Sequence, residues 1–271
     1  MKFRILVLFL LVISHFQTRG QQQLSEKATI SVITCGPGDI LYTSFGHSAF
    51  RIYDPKLQLD KIYNYGTFDF NAPNFYLNFA KGNLTYQLAT QSFDRFLRIY
   101  KFEERWVKAQ ELNLTPEENQ LVFEFLENNA KPENKDYQYD FFYDNCATRI
   151  ENVIKNVLKD KVEFSNSHIT ATKTHRDLIN DYAGKFKWGK FGIDLALGSV
   201  IDENASKAEY KFLPDYIYEG FKNASIKRNG IENPLVKRSY SLINSPTYET
   251  PISIDFLSPL FLFSVLCIIG L

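Results

Sequence analysis

Two residues of this sequence, Cys146 and His47, combine a reactive side-chain type with a setting that could activate it. Cys146 lies in "YDFFYDNCATRIENVIKNVL", residues 139–158, where apolar residues recur with helical spacing and Asp144 or Asn145 can cap the helix. The thiol therefore falls in the first turn, where the helix dipole and free backbone N–H groups favour a thiolate and can stabilise an oxyanion. The pattern indicates a cysteine nucleophile.

A nucleophilic thiol needs a base, and His47 is the histidine best placed to be one. It opens the strand-like run "HSAFRIYD", in which the pleat fixes the direction of the side chain. A neighbouring strand can supply the residue that orients the imidazole. On the next strand-like run, "KIYNYG", Asn64 is best placed, with Asp69 in reserve. The alternative is a hydrogen-bonded, purely structural role for His47.

The other three histidines have settings that suit ordinary roles. His15 belongs to an apolar N-terminal segment. His168 and His175 lie in the polar stretch "NSHITATKTHRDL", which leads into a helix capped by Thr174, and a solvated histidine is common there. None of the three competes with His47 as the base.

The chain has three cysteines, and their settings differ. Cys35 follows a strand, Cys146 begins a helix and Cys267 lies in an apolar tail, so no disulfide framework is evident for a domain of this size. A Cys35–Cys146 disulfide is the alternative that an oxidising compartment would permit. Without that bond, Cys146 is the one thiol with an activating context.

Around these residues the sequence predicts an α+β fold with an antiparallel sheet. "ATISVITCG", "ILYTSFG", "HSAFRIYD" and "LDKIYNYGTFDF" are expected to be successive strands, because only short polar breaks such as "GPGD" and "DPKLQ" separate them. A helix is then predicted after Thr115, since Pro116 can occupy its first position and Glu118 can complete a capping box. The strands would hold His47 and Asn64, and a later helix would carry Cys146.

Both ends of the chain have targeting or membrane character. Residues 1–22 combine "MKFR" with "ILVLFLLVI", which is typical of a signal peptide or an N-terminal anchor. Residues 25–232 are expected to be the extracytoplasmic catalytic domain, and 233–255, which is rich in proline and polar residues, a linker. Residues 256–271 form a charge-free run, which we interpret as the start of an incomplete transmembrane helix.

Charge and composition exclude some classes of function. Lys plus Arg and Asp plus Glu are balanced at 31 each, so a nucleic-acid partner is not expected. No group of His, Cys and Asp residues has metal-ligand spacing and no glycine-rich phosphate loop occurs, so no metal and no cofactor are predicted. The 24 Phe and 16 Tyr suit either an aromatic core or surfaces that meet lipid headgroups.

These motifs resemble those of a known enzyme class. "GDILYTSFGHSAFRIYD", then "IYNYG", then an "NC" that opens a helix, is similar to the circularly permuted branch of the papain-like thiol enzymes, relatives of NlpC-type peptidases. The longer set "TCGPGDILYTSFGHSAFRIYDP", "FAKGNLTYQL", "YDFFYDNCATRI", "GIDLALGSVID" and "FLPDYI" resembles the periplasmic domain of the Bacteroidetes lipoprotein N-acyltransferase family over about residues 28–250.

The resemblance implies a function and a mechanism. His47 would deprotonate Cys146 with Asn64 as the third residue, and the thiolate would take an acyl chain from a membrane phospholipid as a thioester. The α-amino group of a lipoprotein's diacylglyceryl-cysteine would then accept the acyl chain, at the periplasmic face of the inner membrane. Tyr42 and Ser44 would line the pocket or donate to the oxyanion, and Asn145 would position the substrate or do the same.

Two other functions remain open at this stage. A cell-wall peptidase or amidase of the NlpC type would use the same residues on soluble peptidoglycan fragments. A non-enzymatic, membrane-tethered periplasmic module would leave Cys146 unreactive.

Overall fold

Ten strands form two antiparallel sheets in the computed structural model, which describes residues 22–68, 73–74, 78, 82–83, 85–245 and 258–270. The order in the larger sheet is β10-β5-β1-β2-β3-β4-β6, and in the smaller one β7-β8-β9. In chain order the strands are β1 (Thr29–Cys35), β2 (His47–Asp54), β3 (Leu59–Thr67), β4 (Thr85–Ser92), β5 (Val107–Leu112), β6 (Asp136–Gln138), β7 (Val162–Phe164), β8 (Ala224–Arg228), β9 (Ile231–Pro234) and β10 (Val236–Ile243).

Seven α-helices surround the sheets within the described part of the chain. They are α1 (Phe93–Phe102), α2 (Pro116–Asn129), α3 (Cys146–Leu158), α4 (His175–Ala183), α5 (Lys187–Leu197), α6 (Pro214–Lys222) and α7 (Pro259–Gly270). The start of α2 confirms the sequence prediction, because Thr115 and Glu118 form a reciprocal capping box in front of Pro116. The α+β class and the antiparallel pairing are confirmed as well.

The two faces of the larger sheet bury separate apolar clusters, because successive side chains of a strand point to opposite faces. On one face Phe50 and Tyr63 pack with α2, α3 and α6. On the other face Ala49 and Ile62 pack with α1. A third cluster joins α4 and α5 to the segment that precedes α6. The helix with Cys146 is thus held against the sheet that carries His47.

The prediction of a strand over "ILYTSFG" is wrong, since Leu41–Thr43 is a turn of 3₁₀ helix. Side chains close this turn: Thr43 Oγ1 donates to the Ile40 carbonyl at 2.9 Å, and Ser44 Oγ donates to the Leu41 carbonyl at 2.7 Å. Such local bonds compete with sheet pairing. We call residues 36–46 the entry loop, because they lead directly into His47.

The predicted linker over 233–255 is wrong in its first half. Residues Val236–Ile243 form β10, which pairs antiparallel with β5 as the outer strand of the larger sheet. Leu235 is buried in the core, and the Asn113 backbone N–H donates to its carbonyl at 2.7 Å. The polar character that suggested a linker belongs to an edge strand, which has a solvent-facing side.

The apolar tail forms α7, a helix of 12 residues whose side chains are mostly exposed. Among the described residues, no helix has both the length and the apolar character needed to cross a bilayer. Residues 1–21 of the predicted signal segment lie outside the described residues. So do residues 246–257, which cover the second half of the predicted linker and the first residues of the tail.

Candidate active site

His47 and Asn64 are in direct contact on adjacent strands. His47 is the first residue of β2 and Asn64 lies on β3, and His47 Nε2 is 2.5 Å from Asn64 Oδ1. A carboxamide oxygen can only accept, so Nε2 carries the hydrogen and donates it. The neutral ring is then the tautomer with its hydrogen on Nε2. Its Nδ1 carries no hydrogen and can accept a proton from a thiol. Asp69, the reserve residue, lies outside the described residues.

Glycine at position 46 is required by the way the chain enters β2. Gly46 has a φ of +79°, and a Cβ there would lie 2.8 Å from the Cys35 carbonyl oxygen. Cys35 is the partner of His47 in the register of β1 and β2. Gly46 therefore allows the chain to turn from the entry loop into β2 directly before His47.

The environment of His47 keeps its imidazole neutral. Burial is the main cause that lowers the pKa of His47, and the positive charge of Arg105 lowers it further, whereas the hydrogen bond to Asn64 raises it. The net effect is a pKa of about 4. At neutral pH the ring is therefore a base without a proton on Nδ1.

Cys146 is the first residue of α3, as the sequence predicts, and Asn145 is its N-cap. The Asn145 Oδ1 accepts from the backbone N–H groups of Ala147 at 2.8 Å and Thr148 at 2.9 Å. Both hydrogens of the Asn145 amide donate to carbonyls, those of Phe141 at 2.7 Å and Phe212 at 2.8 Å. The expected oxyanion role of Asn145 is therefore wrong, since its donors are used; the residue positions the helix instead.

The prediction that the helix start favours a thiolate is wrong in its net direction. The backbone N–H groups of Ser48, Cys146 and Ala147 do lower the pKa of the Cys146 thiol, but burial raises it by more, to about 11. The prediction considered the helix dipole but not the free-energy cost of removing the charged thiolate from water. The Cys146 thiol and the His47 imidazole are therefore both neutral at neutral pH. Cys35, Cys146 and Cys267 are all free thiols, without the alternative disulfide.

Gly66 brings β3 against the thiol. It has a φ of +85°, and a Cβ at this position would lie 3.2 Å from the Cβ of Cys146. The pairing of β3 with β4 is irregular between Asn64 and Thr67, which is where Gly66 lies. Because Gly66 follows Asn64 by two residues and Ser48 follows His47, the strand ends that carry the histidine and the amide both reach Cys146.

Arg105 is a buried cation beside the site that the sequence analysis missed. Its Nε donates to the Gly36 carbonyl at 2.7 Å and its Nη1 to Glu103 at 2.8 Å, whereas its buried Nη2 has no hydrogen-bond partner among the described residues. Its charge lowers the pKa of both His47 and Cys146. No signal in the sequence near His47 or Cys146 could have identified it, because only the pairing of β1 with β5 brings it there.

The two predicted pocket residues of the entry loop differ in their roles. Ser44 is buried and its hydroxyl hydrogen is donated to the Leu41 carbonyl, so the expected oxyanion role is wrong for Ser44. Tyr42 is 62% exposed and its ring meets Phe68 edge-on, with the ring centroids 6.5 Å apart. Tyr42 is thus a surface residue of the entry loop, and its pocket-lining role stays a prediction.

A row of aromatic rings extends from Tyr42 toward the thiol. Phe68 is 4.9 Å from Tyr86, and Tyr86 stacks on Tyr139 at 4.0 Å, measured between ring centroids. Burial, and after it the proximity of Cys146, raises the pKa of Tyr86 to about 12 and that of Tyr139 well above its ordinary value. We call the rings of Phe68, Tyr86 and Tyr139 the aromatic wall, since they form an apolar surface near the thiol.

Three further polar residues and one cavity have roles outside this constellation. His175, expected to be solvated, is buried with its ring 4.9 Å from that of Phe142. Asp194 and Asp202 both bind Arg176, at 2.6 and 2.5 Å. A cavity of about 390 Å³ between α2 and α3 is lined by asparagines and by Arg149, but His47 and Cys146 do not line it.

One family matches most of the elements that build this site. The Lnb N-terminal periplasmic domain matches residues 17–181, more than half of the chain, including His47, Asn64 and Cys146. The chain belongs to this family. The Lnb domain is described as periplasmic, which agrees with the predicted compartment. No curated protein and no solved structure matches the chain.

Proposed function

We propose that this chain is a cysteine-dependent lipoprotein N-acyltransferase with a permuted papain-like arrangement of its catalytic residues. The observation that carries the proposal is the 2.5 Å bond from His47 Nε2 to Asn64 Oδ1, on strands that both reach Cys146. Two further observations support the choice of reaction: the motifs of the sequence resemble those of the Bacteroidetes lipoprotein N-acyltransferases, and the Lnb N-terminal periplasmic domain matches residues 17–181.

The first half-reaction acylates Cys146. Nδ1 of His47 takes the proton from Sγ as the thiolate attacks the carbonyl carbon of a phospholipid ester. The carbon–oxygen ester bond breaks, the lysophospholipid alkoxide takes the proton back from the imidazolium, and the acyl chain remains as a thioester. The backbone N–H groups of Ser48 and Cys146 face the oxyanion, and the aromatic wall accommodates the acyl chain.

The second half-reaction transfers the acyl chain to the lipoprotein. The neutral α-amino group of the diacylglyceryl-cysteine attacks the thioester carbonyl, and an amide bond forms as the carbon–sulfur bond breaks. The proton of the amine passes to His47 and then to the Cys146 thiolate, which restores the neutral pair. The cycle starts and ends with the neutral thiol, because burial raises the pKa of Cys146 to about 11.

The test uses the full chain in cells that lack their own lipoprotein N-acylation. A reporter lipoprotein is analysed by mass spectrometry with the wild type, with Cys146→Ser and with Cys267→Ser as the matched control, since Cys267 is exposed in α7. We expect a third acyl chain with the wild type and the control only. A reporter that stays diacylated with all three would refute the transferase, and cleavage of soluble peptidoglycan fragments would then identify an amidase.

A further inference from the structure

Helix α5 exposes an apolar face in addition to the one that it buries. Ile193 and Leu197 pack into the third apolar cluster. On the opposite side Trp188 is 47%, Phe191 37% and Leu195 74% exposed. These three positions, spaced i, i+3 and i+7, share one side of a helix. A surface helix normally presents polar residues there, so this outer face is adapted to something other than water.

Helix α7 packs on this face and extends it. The ring of Phe263 in α7 lies 6.5 Å from Trp188 and 5.5 Å from Phe191, measured between centroids. The helix has no charged residue, and Leu266, Ile268 and Ile269 are exposed beyond the contact. Together α5 and α7 present one continuous apolar surface.

Helix α5 and the residue before it contact the entry loop, which leads to His47. Gly189 of α5 lies so close to Leu41 of the entry loop that a Cβ would be 2.6 Å from Leu41 Cδ2. Lys185, just before α5, donates to the Gly38 carbonyl at 3.2 Å. Ile40 and Tyr42, on either side of Leu41, are both exposed. The entry loop is therefore packed against α5 through Leu41, which belongs to the same apolar cluster as Ile193 and Leu197, and its exposed residues Ile40 and Tyr42 lie beside that contact.

We propose that this surface, formed by Trp188, Phe191 and Leu195 with the adjoining entry loop, rests in the headgroup–acyl boundary of a phospholipid bilayer. A lipid occupant fits better than a protein because α7 is apolar on every side and offers no polar rim to a partner. The outer face combines Trp188 with Phe191 and Leu195, and an aromatic residue of this kind beside aliphatic ones is typical of helices that lie in the membrane interface.

The inference deepens the proposed function, because it gives a route for the acyl donor. With the outer face of α5 in the interface, the entry loop meets the lipid surface, and an acyl chain reaches Cys146 along the aromatic wall without leaving the apolar phase. The docking surface itself is independent of the chemistry at Cys146.

The direct test uses the two tryptophans of the chain, Trp106 and Trp188. Each is made the single fluorophore by Trp→Phe substitution of the other, in the full chain reconstituted in vesicles that contain brominated phosphatidylcholine. We expect quenching of Trp188 and none of Trp106, which lies under Lys108 and against Gly36. Equal emission of Trp188 with and without bromine would overturn the proposal. Shielding of Trp188 from aqueous iodide without bromine quenching would overturn it too, because α7 or another protein surface would then cover the ring instead of lipid.

A second test separates docking from chemistry. Phe191→Ser with Leu195→Ser removes two apolar contacts, and Phe102→Ser with Leu121→Ser is the matched control on other exposed sites. We expect acylation of Cys146 from vesicle phospholipid to fall about tenfold or more in the first pair only, with acylation by a soluble short-chain thioester unchanged. An equal rate from vesicles in both pairs would overturn the proposal. No acylation by either donor in the wild type would refute the proposed function, and the quenching result would still decide the docking surface.

Discussion

Replacement of Gly66 by alanine tests whether β3 and Cys146 form one catalytic unit. The backbone at this position has a φ of +85°, so a residue with a Cβ costs about 1–2 kcal/mol of stability there. The added Cβ also meets the Cys146 Cβ at 3.2 Å, which is closer than ordinary contact and requires a shift of a few tenths of an ångström. The neighbour that must move is Cys146, the proposed nucleophile.

The matched control is Gly230→Ala. Gly230 has a φ of +81° in the hairpin between β8 and β9, and no atom of the described residues lies within 4 Å of a Cβ there. The substitution Gly230→Ala therefore has the same stability cost of a Cβ at positive φ, but it brings no close contact with another side chain. Urea unfolding is therefore expected to show a loss of about 1–2 kcal/mol in both variants.

Only Gly66→Ala is expected to slow the chemistry. A misplacement of about 1 Å costs roughly a hundredfold in rate, so a shift of a few tenths of that distance predicts a loss of roughly tenfold. The assay follows thioester formation on Cys146 by intact-protein mass spectrometry in the folded variants. Equal acylation rates in Gly66→Ala and Gly230→Ala would refute the placement of the thiol against β3.

Three further predictions follow from the site and from the fold. Asn64→Ala frees the imidazole of His47 to rotate and should lower the rate of Cys146 acylation by roughly ten- to a hundredfold; an unchanged rate would exclude Asn64 as the orienting residue. Arg105→Gln removes a charge that lowers the pKa of His47, so the acid limb of the pH profile of kcat/KM should move to higher pH, and Arg105→Lys should restore it; superimposable profiles would contradict this electrostatic role. Asp54→Asn should lower the free energy of unfolding at pH 7 by about 1–3 kcal/mol, since the carboxylate accepts four hydrogen bonds, two of them from Ser25. Burial raises the pKa of Asp54, but the bonds outweigh it and lower the pKa below its usual value, so the wild type should lose this stabilisation as the pH falls below roughly 4 whereas the variant should not, which urea unfolding at pH 7 and pH 3 measures.

The local pattern of the sequence was sufficient for the elements that hold the two main side chains. The bounds of β2, from His47 to Asp54, coincide with the run "HSAFRIYD", because alternation and the preceding glycine mark the strand. The N-terminus of α3 at Cys146 was predictable from the Asn145 cap and the helical spacing that follows it. Position within an element is a local property, which a short stretch of sequence can specify.

The protonation states and the supporting residues were beyond a local pattern. The pKa of Cys146 depends on burial by β2, β3 and the aromatic wall, which come from elsewhere in the chain, so the helix dipole alone gave the wrong direction. Arg105 reaches the site only through the register of β5 with β1. The strand predicted over "ILYTSFG" failed because hydroxyl groups of Thr43 and Ser44 close a turn that apolar spacing does not reveal.

The contacts of α3 and of its N-cap Asn145 determine where the chain can be cut into fragments. The residues that match the Lnb family end at 181, but Asn145 donates to the carbonyl of Phe212, and Glu151 of α3 forms a buried ion pair with Lys211 at 2.9 Å. A fragment cut at residue 181 would leave the Glu151 carboxylate without its buried partner, and β5 would lose its neighbour β10 and expose an open sheet edge. The end of the family match is therefore not the end of the folded unit, and a recombinant fragment that keeps Cys146 in its position must extend to Ile243.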